Sequence, residues 1–420
     1  MRSWLTYIFL LMVACGTVLT SCSDVLSEEG LGTCDDRTTV RLTISFGGDD
    51  DPMSRDVGSD QTPKDDDLDY TTEEQAEIVT GDVYALVVDA NNKFLYRIKD
   101  LHLEEPDTYD NYYTRTLQGT MIQTKKQVRI VLLANLVQNQ ITVNNILLDE
   151  KSKVEDYIDG IKEETDVSTI YNKLIYNYDG ATTPWTVTGN DARRIPMWGQ
   201  SQPTTVPPTE NIDLACYLYR AVAKVQIWVN NREGIDGFII DKMEVMNVPS
   251  KGYCVSSKGL DTNSPHYNLG TSNDPKPYVA PDPYVPGIEE VNKGYFKTVT
   301  YTPTNTNITY NIDGAEITYN DATQSYSDMI YLPEHKNTDD SAIIIKVYYT
   351  FNGKKYHGEV DDEYPAGIIQ FKENGEGARF DVIRNYSYIF NINKISEVTG
   401  KIYYVVDQWD NETIDIPPFK

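Results

Sequence analysis

Leu19-Thr20-Ser21-Cys22 follows directly on an uncharged apolar run from Leu5 to Val18 and a short leading segment that carries Arg2. Small residues before a cut and a cysteine after it are what a lipoprotein signal peptidase requires, because the Cys22 thiol is diacylated before cleavage. The apolar run, about 14 residues, falls short of the roughly 20 that span a bilayer, so residues 1–21 read as a removed signal rather than a permanent helix. Cys15 offers a rival cut, but Leu19 holds the preferred position ahead of Cys22 and Met12 does not hold it ahead of Cys15. Two acyl chains suffice for stable anchoring where one is marginal. The expected mature protein starts at Cys22 and sits on a membrane, outside the cytoplasm.

Other reactive chemistry is sparse. The four histidines, His102, His266, His335 and His357, form no i, i+4 pair and none lies beside a cysteine, which argues against a transition-metal site or a Cys/His nucleophile. There is no Gly-x-Ser-x-Gly, phosphate-binding glycine loop or dinucleotide fingerprint. Adjacent carboxylates such as Glu104-Glu105 and Asp361-Asp362 would point to opposite faces of a strand and read as solvated surface, not as an acid/base pair. The aspartates between Gly47 and Tyr70 match no EF-hand spacing, and Arg55 and Lys64 partly balance them; a solvated linker is preferred to a Ca2+ site. No catalytic residue, metal or cofactor is expected.

Composition narrows the class. Acidic residues number 64 against 37 basic ones, and a formal charge of -27 repels phosphate backbones and anionic headgroups, so nucleic acid is not an expected partner. Thirty-one tyrosines with abundant Thr, Val and Ile favour strands, while 20 prolines and 26 glycines supply turns. Beyond the signal region Cys34, Cys216 and Cys254 are too few for a disulfide framework; a Cys216–Cys254 bridge stays open, and two unpaired buried thiols are the expectation. Exposed tyrosines and tryptophans serving as a carbohydrate platform are a further reading, set against their commoner use in cross-strand pairs and sandwich cores.

Residues 22–36 are small, polar and acidic, as in a tether. Val40, Leu42, Ile44 and Phe46 then alternate with Thr39, Arg41, Thr43 and Ser45, the pattern of a half-buried strand. The stretch from Gly47 to Tyr70 reads as an exposed, protease-accessible loop. Val83–Val88 and Phe94–Ile98 flank Asp89-Ala90-Asn91-Asn92 as a hairpin, and Val128–Leu133 is a nearly continuous apolar run that fits a core strand ending at Ala134-Asn135. One or two short surface helices are expected between Val154 and Asn177. The Pro/Thr patch from Gln202 to Thr209 marks a domain boundary, followed by strands at Val222–Val229, Phe238–Val245, Ser341–Phe351, Ile368–Phe371, Tyr386–Ile395 and Lys401–Val406. A long irregular loop is expected between Lys258 and Gly294.

Several segments together resemble the fimbrillin family of the Bacteroidota, the lipoprotein subunits of type V pili. They are Leu19–Cys22, Thr39–Phe46, Val128–Asn135 (VRIVLLAN), Arg194–Gly199 (RIPMWG), Leu218–Val229 (LYRAVAKVQIWV), Arg384–Ile395 (RNYSYIFNINKI) and Val405–Ile416 (VVDQWDNETIDI), in the family's order over nearly the whole chain. The resemblance implies a mostly β protein of two tandem transthyretin-like β-sandwich domains with short helices, at 37–213 and 214–420. It also implies assembly by strand exchange: a surface protease cuts after an arginine behind the first strand, the strand leaves, and its groove accepts the C-terminal strand of another subunit. By position Arg55 matches the cleavage arginine; cutting at Arg37 or Arg41 would leave most of the strand behind. Val40, Leu42, Ile44 and Phe46 would be the groove-filling side chains, and Ile414 and Ile416 those of a donor strand. Pro417-Pro418, which cannot donate ladder hydrogen bonds, depart from a good donor. Asp340-Ser341-Ala342 resembles a Bacteroidota O-glycosylation sequon, at the start of a predicted strand.

Three functions follow as expectations. The preferred one is a structural pilus subunit of the outer membrane and fimbrium that serves adhesion, with other pilus subunits and a host or bacterial surface receptor as partners. The alternatives are a non-polymerising pilus anchor that keeps its lipid and first strand, and a surface glycan-binding lipoprotein.

Overall fold

The computed structural model describes residues 37–46, 78–79, 81–104, 114–144, 146–178, 194–208, 211–229, 238–255, 296–301, 308–312, 315–319, 330–358, 365–372, 377, 379–385, 387–396, 399 and 401–407. Cys22, Cys34, Arg55, Ile414, Ile416, Asp361, Asp362 and the 258–294 stretch lie outside the described residues.

The chain is mostly β. Its first half runs β1 (Arg37–Phe46), β2 (Val83–Asp89), β3 (Phe94–Ile98), β4 (His102–Leu103), β5 (Thr114–Ile122), β6 (Thr124–Ala134), β7 (Ile141–Val143), β8 (Ile146–Leu148), α1 (Lys151–Asp159), α2 (Val167–Tyr171), β9 (Ile175–Asn177), β10 (Met197–Ser201), β11 (Thr204–Val206) and β12 (Asn211–Arg220). The second half runs β13 (Val222–Val229), β14 (Ile239–Pro249), β15 (Lys251–Tyr253), β16 (Phe296–Tyr301), β17 (Ile308–Ile312), β18 (Ala315–Tyr319), β19 (Ile330–Pro333), β20 (Ile344–Phe351), β21 (Lys354–Tyr356), β22 (Gly367–Gln370), β23 (Ser387–Ile395) and β24 (Ile402–Asp407).

The first sheet has the order β3-β2-β6-β10-β12-β1-β5-β4, with β11 also on β6. Beyond it, β19-β13-β23-β24 and β16-β14-β20-β21, the latter with β22 on β20, make the two main sheets of the second half. A small sheet, β15-β9-β7-β8, takes strands from both halves. The expected hairpin is present as β2 and β3, and Asn92 in its turn has φ 63°, a conformation asparagine tolerates. The expected short helices form as well: Val154 and Ile158 bury one face of α1, and the Asp166 side chain accepts from the Ser168 N–H at 3.0 Å to start α2.

The apolar run in β6 has a definite cause. Val131 and Leu133 face one core while Val128, Ile130, Leu132 and Ala134 face another, so both sides of the strand are buried. β2 alternates in the same way, with Tyr84, Leu86 and Val88 on one side and Ala85 and Val87 on the other. These two strands form the wall between a larger core, shared with the helices and the second half, and a smaller core that the first sheet encloses by curling on itself. The curl brings β5 against β3 closely enough that a Cβ on Gly119 would lie 2.8 Å from Ile98 Cγ2.

The two halves meet at a polar joint. β12 stays in the first sheet as far as Arg220, so the boundary expected between 213 and 214 falls within this strand, and the chain changes sheets at Ala221. The Arg220 side chain and backbone N–H both donate to Asn385 Oδ1 at 3.2 Å, and the Asn385 N–H donates to the Val222 carbonyl at 2.8 Å. Beside them Arg384 forms a buried ion pair with Glu334, at 2.9 and 2.8 Å, and donates to the carbonyls of Cys254 and Tyr253. Cys216 and Cys254 are free and buried, as expected. The strand expected from Ser341 begins at Ile344, so Asp340-Ser341-Ala342 lies in the preceding turn, where the Ser341 hydroxyl is 2.7 Å from that of Thr338.

Asp82, only 5% exposed, accepts from the Val137 N–H at 2.9 Å, yet burial raises its pKa from 3.8 to about 6. The folded protein therefore holds this proton more tightly than the unfolded chain does. The stability it contributes is present below pH 3.8 and is lost as pH rises through about 6. Relative to Asp82→Asn, the wild type should lose about 2 kcal/mol of unfolding free energy between about pH 4 and pH 7 in urea titrations; a constant difference would exclude Asp82 as the titrating group.

Candidate functional site

β1 lies inside the first sheet and not at its edge. It runs parallel to β12, with Thr39 opposite Asn211 and Phe46 opposite Leu218, and antiparallel to β5, with Arg37 opposite Ile122 and Ser45 opposite Thr114. Both neighbours come from residues far downstream. Residues 47–82 are consequently the only covalent connection between β1 and every other described strand. A cut within that stretch leaves β1 held by noncovalent contacts alone.

Those contacts are extensive. Val40, Leu42 and Ile44 are each 0% exposed and belong to the smaller core with Leu117, Met121, Cys216 and Leu218. Thr38 continues this inward face and donates to the Pro207 carbonyl at 2.8 Å. Gly119 lies directly opposite Val40, where its missing Cβ admits Ile98 and Leu101 behind the strand. On the outer face Arg37, Arg41 and Thr43 are exposed, and Arg41 meets Glu104 at 3.5 Å. That solvated pair contributes little. The expected division into one apolar and one polar face is therefore present from Thr39 to Ile44; Phe46 is placed by its backbone alone, opposite Leu218.

Each of the three apolar side chains contributes roughly 1.5–3 kcal/mol on burial, so β1 supplies about 5–9 kcal/mol before its hydrogen bonds are counted. That is comparable with the whole net stability of a typical domain, so loss of β1 would be strongly destabilising. A replacement strand would restore both the burial and two hydrogen-bonded ladders.

The described residues give the groove no reactive group. Cys216, opposite Ile44, is fully buried, and burial pushes its thiol well above the usual range, which suppresses the nucleophilic thiolate. Among the described residues no group of three or more His, Cys, Asp and Glu side chains converges as a metal site. His357 Nε2 lies 2.8 Å from Asp241 Oδ2 on the second half, where Thr350 also donates to the same oxygen. No described helix is long and apolar enough to cross a membrane.

Sequence motifs locate β1 but miss what fixes the walls around it. Asn135, with φ 60°, accepts from the Val79 N–H at 2.9 Å and donates to the Ile195 carbonyl at 2.8 Å. Asn139 donates to the carbonyls of Asn135 and Arg194. Thus VRIVLLAN is bound to RIPMWG, and the joint binds LYRAVAKVQIWV to RNYSYIFNINKI. The ordered recurrence of these motifs is a signal that the sequence offers; their pairing is not.

No family model matches this chain, and no curated protein matches it. Among solved structures it is similar to the tip fimbrial protein Mfa3 of Porphyromonas gingivalis with a C-terminal truncation, at 11% identity and TM-score 0.45, covering 89% of this chain and 100% of that one. It is also similar to a fimbrial assembly protein of Parabacteroides distasonis, at 12% identity and TM-score 0.42, covering 89% of this chain and 97% of that one.

Leu42→Ala should destabilise the protein by about 2–5 kcal/mol through lost transfer energy and a residual cavity, whereas Thr43→Ala on the exposed face should stay within about 0.5 kcal/mol. Equilibrium urea unfolding of both variants tests this, and equal losses would show that β1 is not held by its inward face.

Proposed function

We propose that the chain is a structural subunit of a surface fimbrium, built of two tandem transthyretin-like sandwich domains, lipid-anchored through Cys22 before processing, and assembled by proteolysis-triggered strand exchange. One observation carries this reading: β1 is buried between two neighbours that both come from downstream, while residues 47–82 alone connect it covalently to them. A cut after Arg55 would release β1 without breaking any other described strand. The exposed groove would then require another strand, so proteolysis acts as the trigger and burial as the driving force.

Supporting the same reading, the sequence motifs recur in the order of the fimbrillins, and the acidic, Gly-rich sequence around Arg55 suits protease access. The partners are other pilus subunits, the outer membrane through the lipid, and a receptor on a host or bacterial surface. The role is mechanical and adhesive, and uses no cofactor.

Intact mass and N-terminal sequencing of protein recovered from the cell surface test the proposal. The expected product starts at Asp56 and forms multimers that resist dissociation, while Arg55→Ala stays acylated at Cys22 and monomeric. An acylated wild-type chain that survives protease without multimers would sink the polymerising role and leave an anchor subunit or a glycan-binding lipoprotein.

A further inference from the structure

We propose that the groove of β1 is filled by a strand from a subunit of different sequence, and not by residues 408–420 of a second copy of this chain. The inference rests on the strand-exchange reading above and concerns which strand the groove accepts.

The groove sets two requirements. Its inward positions, occupied by Val40, Leu42 and Ile44, are each 0% exposed, and their described walls include Leu117, Met121, Cys216 and Leu218, which offer a carboxylate nothing to pair with. An occupant therefore needs three apolar side chains at alternate positions, because an unpaired charge or amide there would be desolvated without compensation. It must also present backbone N–H groups to both sides, since β1 is paired with β12 and β5 along nearly its whole length.

Residues 408–420, QWDNETIDIPPFK, meet the two requirements together in no register. Every set of three alternate residues within them contains an acid, an amide or a proline. Ile414 and Ile416 can fill two neighbouring inward positions, but the third then receives Glu412 on one side or Pro418 on the other. Reversing the strand direction exchanges the ends and leaves the same choice.

The register that avoids Glu412 brings the prolines into the ladder. With the strand running as β1 does, Pro417 and Pro418 stand where Thr43 and Ile44 now stand; with the strand reversed, they stand at Arg41 and Val40. Consecutive N–H groups of a strand with two neighbours point to opposite sides, so the two prolines remove one bond from each ladder in either direction.

The test uses the full chain with a site-specific protease sequence inserted between Gly48 and Asp49, cut and then incubated with fluorescent peptides. A peptide of residues 37–46 should enter the groove and remain through mild denaturing electrophoresis. A peptide of residues 408–420 should bind at least about 100-fold more weakly, and the same peptide carrying Pro417→Thr and Pro418→Val should recover most of the loss. Equal binding by the 37–46 and unaltered 408–420 peptides would overturn the inference while leaving strand exchange standing. Exclusion of even the 37–46 peptide would overturn the strand-exchange reading and this inference with it.

Discussion

Burial of Val40, Leu42 and Ile44 between β5 and β12 closes the smaller core, and much of the first half depends on that closure. The sheet curls so that β3 and β5 approach each other, and β1 supplies the side chains that fill the space between its flanking strands and the wall. Without them Leu117, Met121, Cys216 and Leu218 would lose packing partners on the same side. A strand near the N-terminus thus completes a sheet whose other members come later in the chain, which makes it peripheral in covalent terms and central in packing.

The wall of β2 and β6 limits how far the loss of β1 would spread. Tyr84, Leu86, Val131 and Leu133 belong to the larger core, which also contains α1, α2 and the sheets of the second half. Opening the smaller core leaves these contacts in place. Local opening of one part of a protein at less than the global cost is the general behaviour of cooperative subunits within a fold, and two cores divided by a doubly buried wall give it a physical basis here.

Much of this is legible in the residues. Strict alternation marks β1, turn chemistry marks the hairpin, and an unbroken apolar run marks β6, since each pattern reports directly on how many faces of a strand are buried. β10 gives no such sign: Met197–Ser201 is buried throughout although it contains glycine, glutamine and serine. It packs because Gly199 lies so close to β12 that a Cβ would sit 2.0 Å from the Tyr217 carbonyl oxygen. Lys224 in β13 is only 4% exposed, and burial lowers its pKa to about 8. Arg220 and Asn385 lie 165 residues apart, so nothing local could announce their bond. Cys22, Arg55, Ile414 and Ile416 fall outside the described residues, and their roles rest on sequence.

The direct passage from β12 through Ala221 into β13 has a mechanical consequence. β1 runs parallel to β12, and tension along a strand in its place would load the ladder in shear, across many hydrogen bonds together, instead of peeling them apart one after another. Such a load would enter the second half along a continuous backbone, at the point where the chain changes sheets and Arg220 is bonded to Asn385. The same joint that orders the core would thereby serve as a tension-bearing splice.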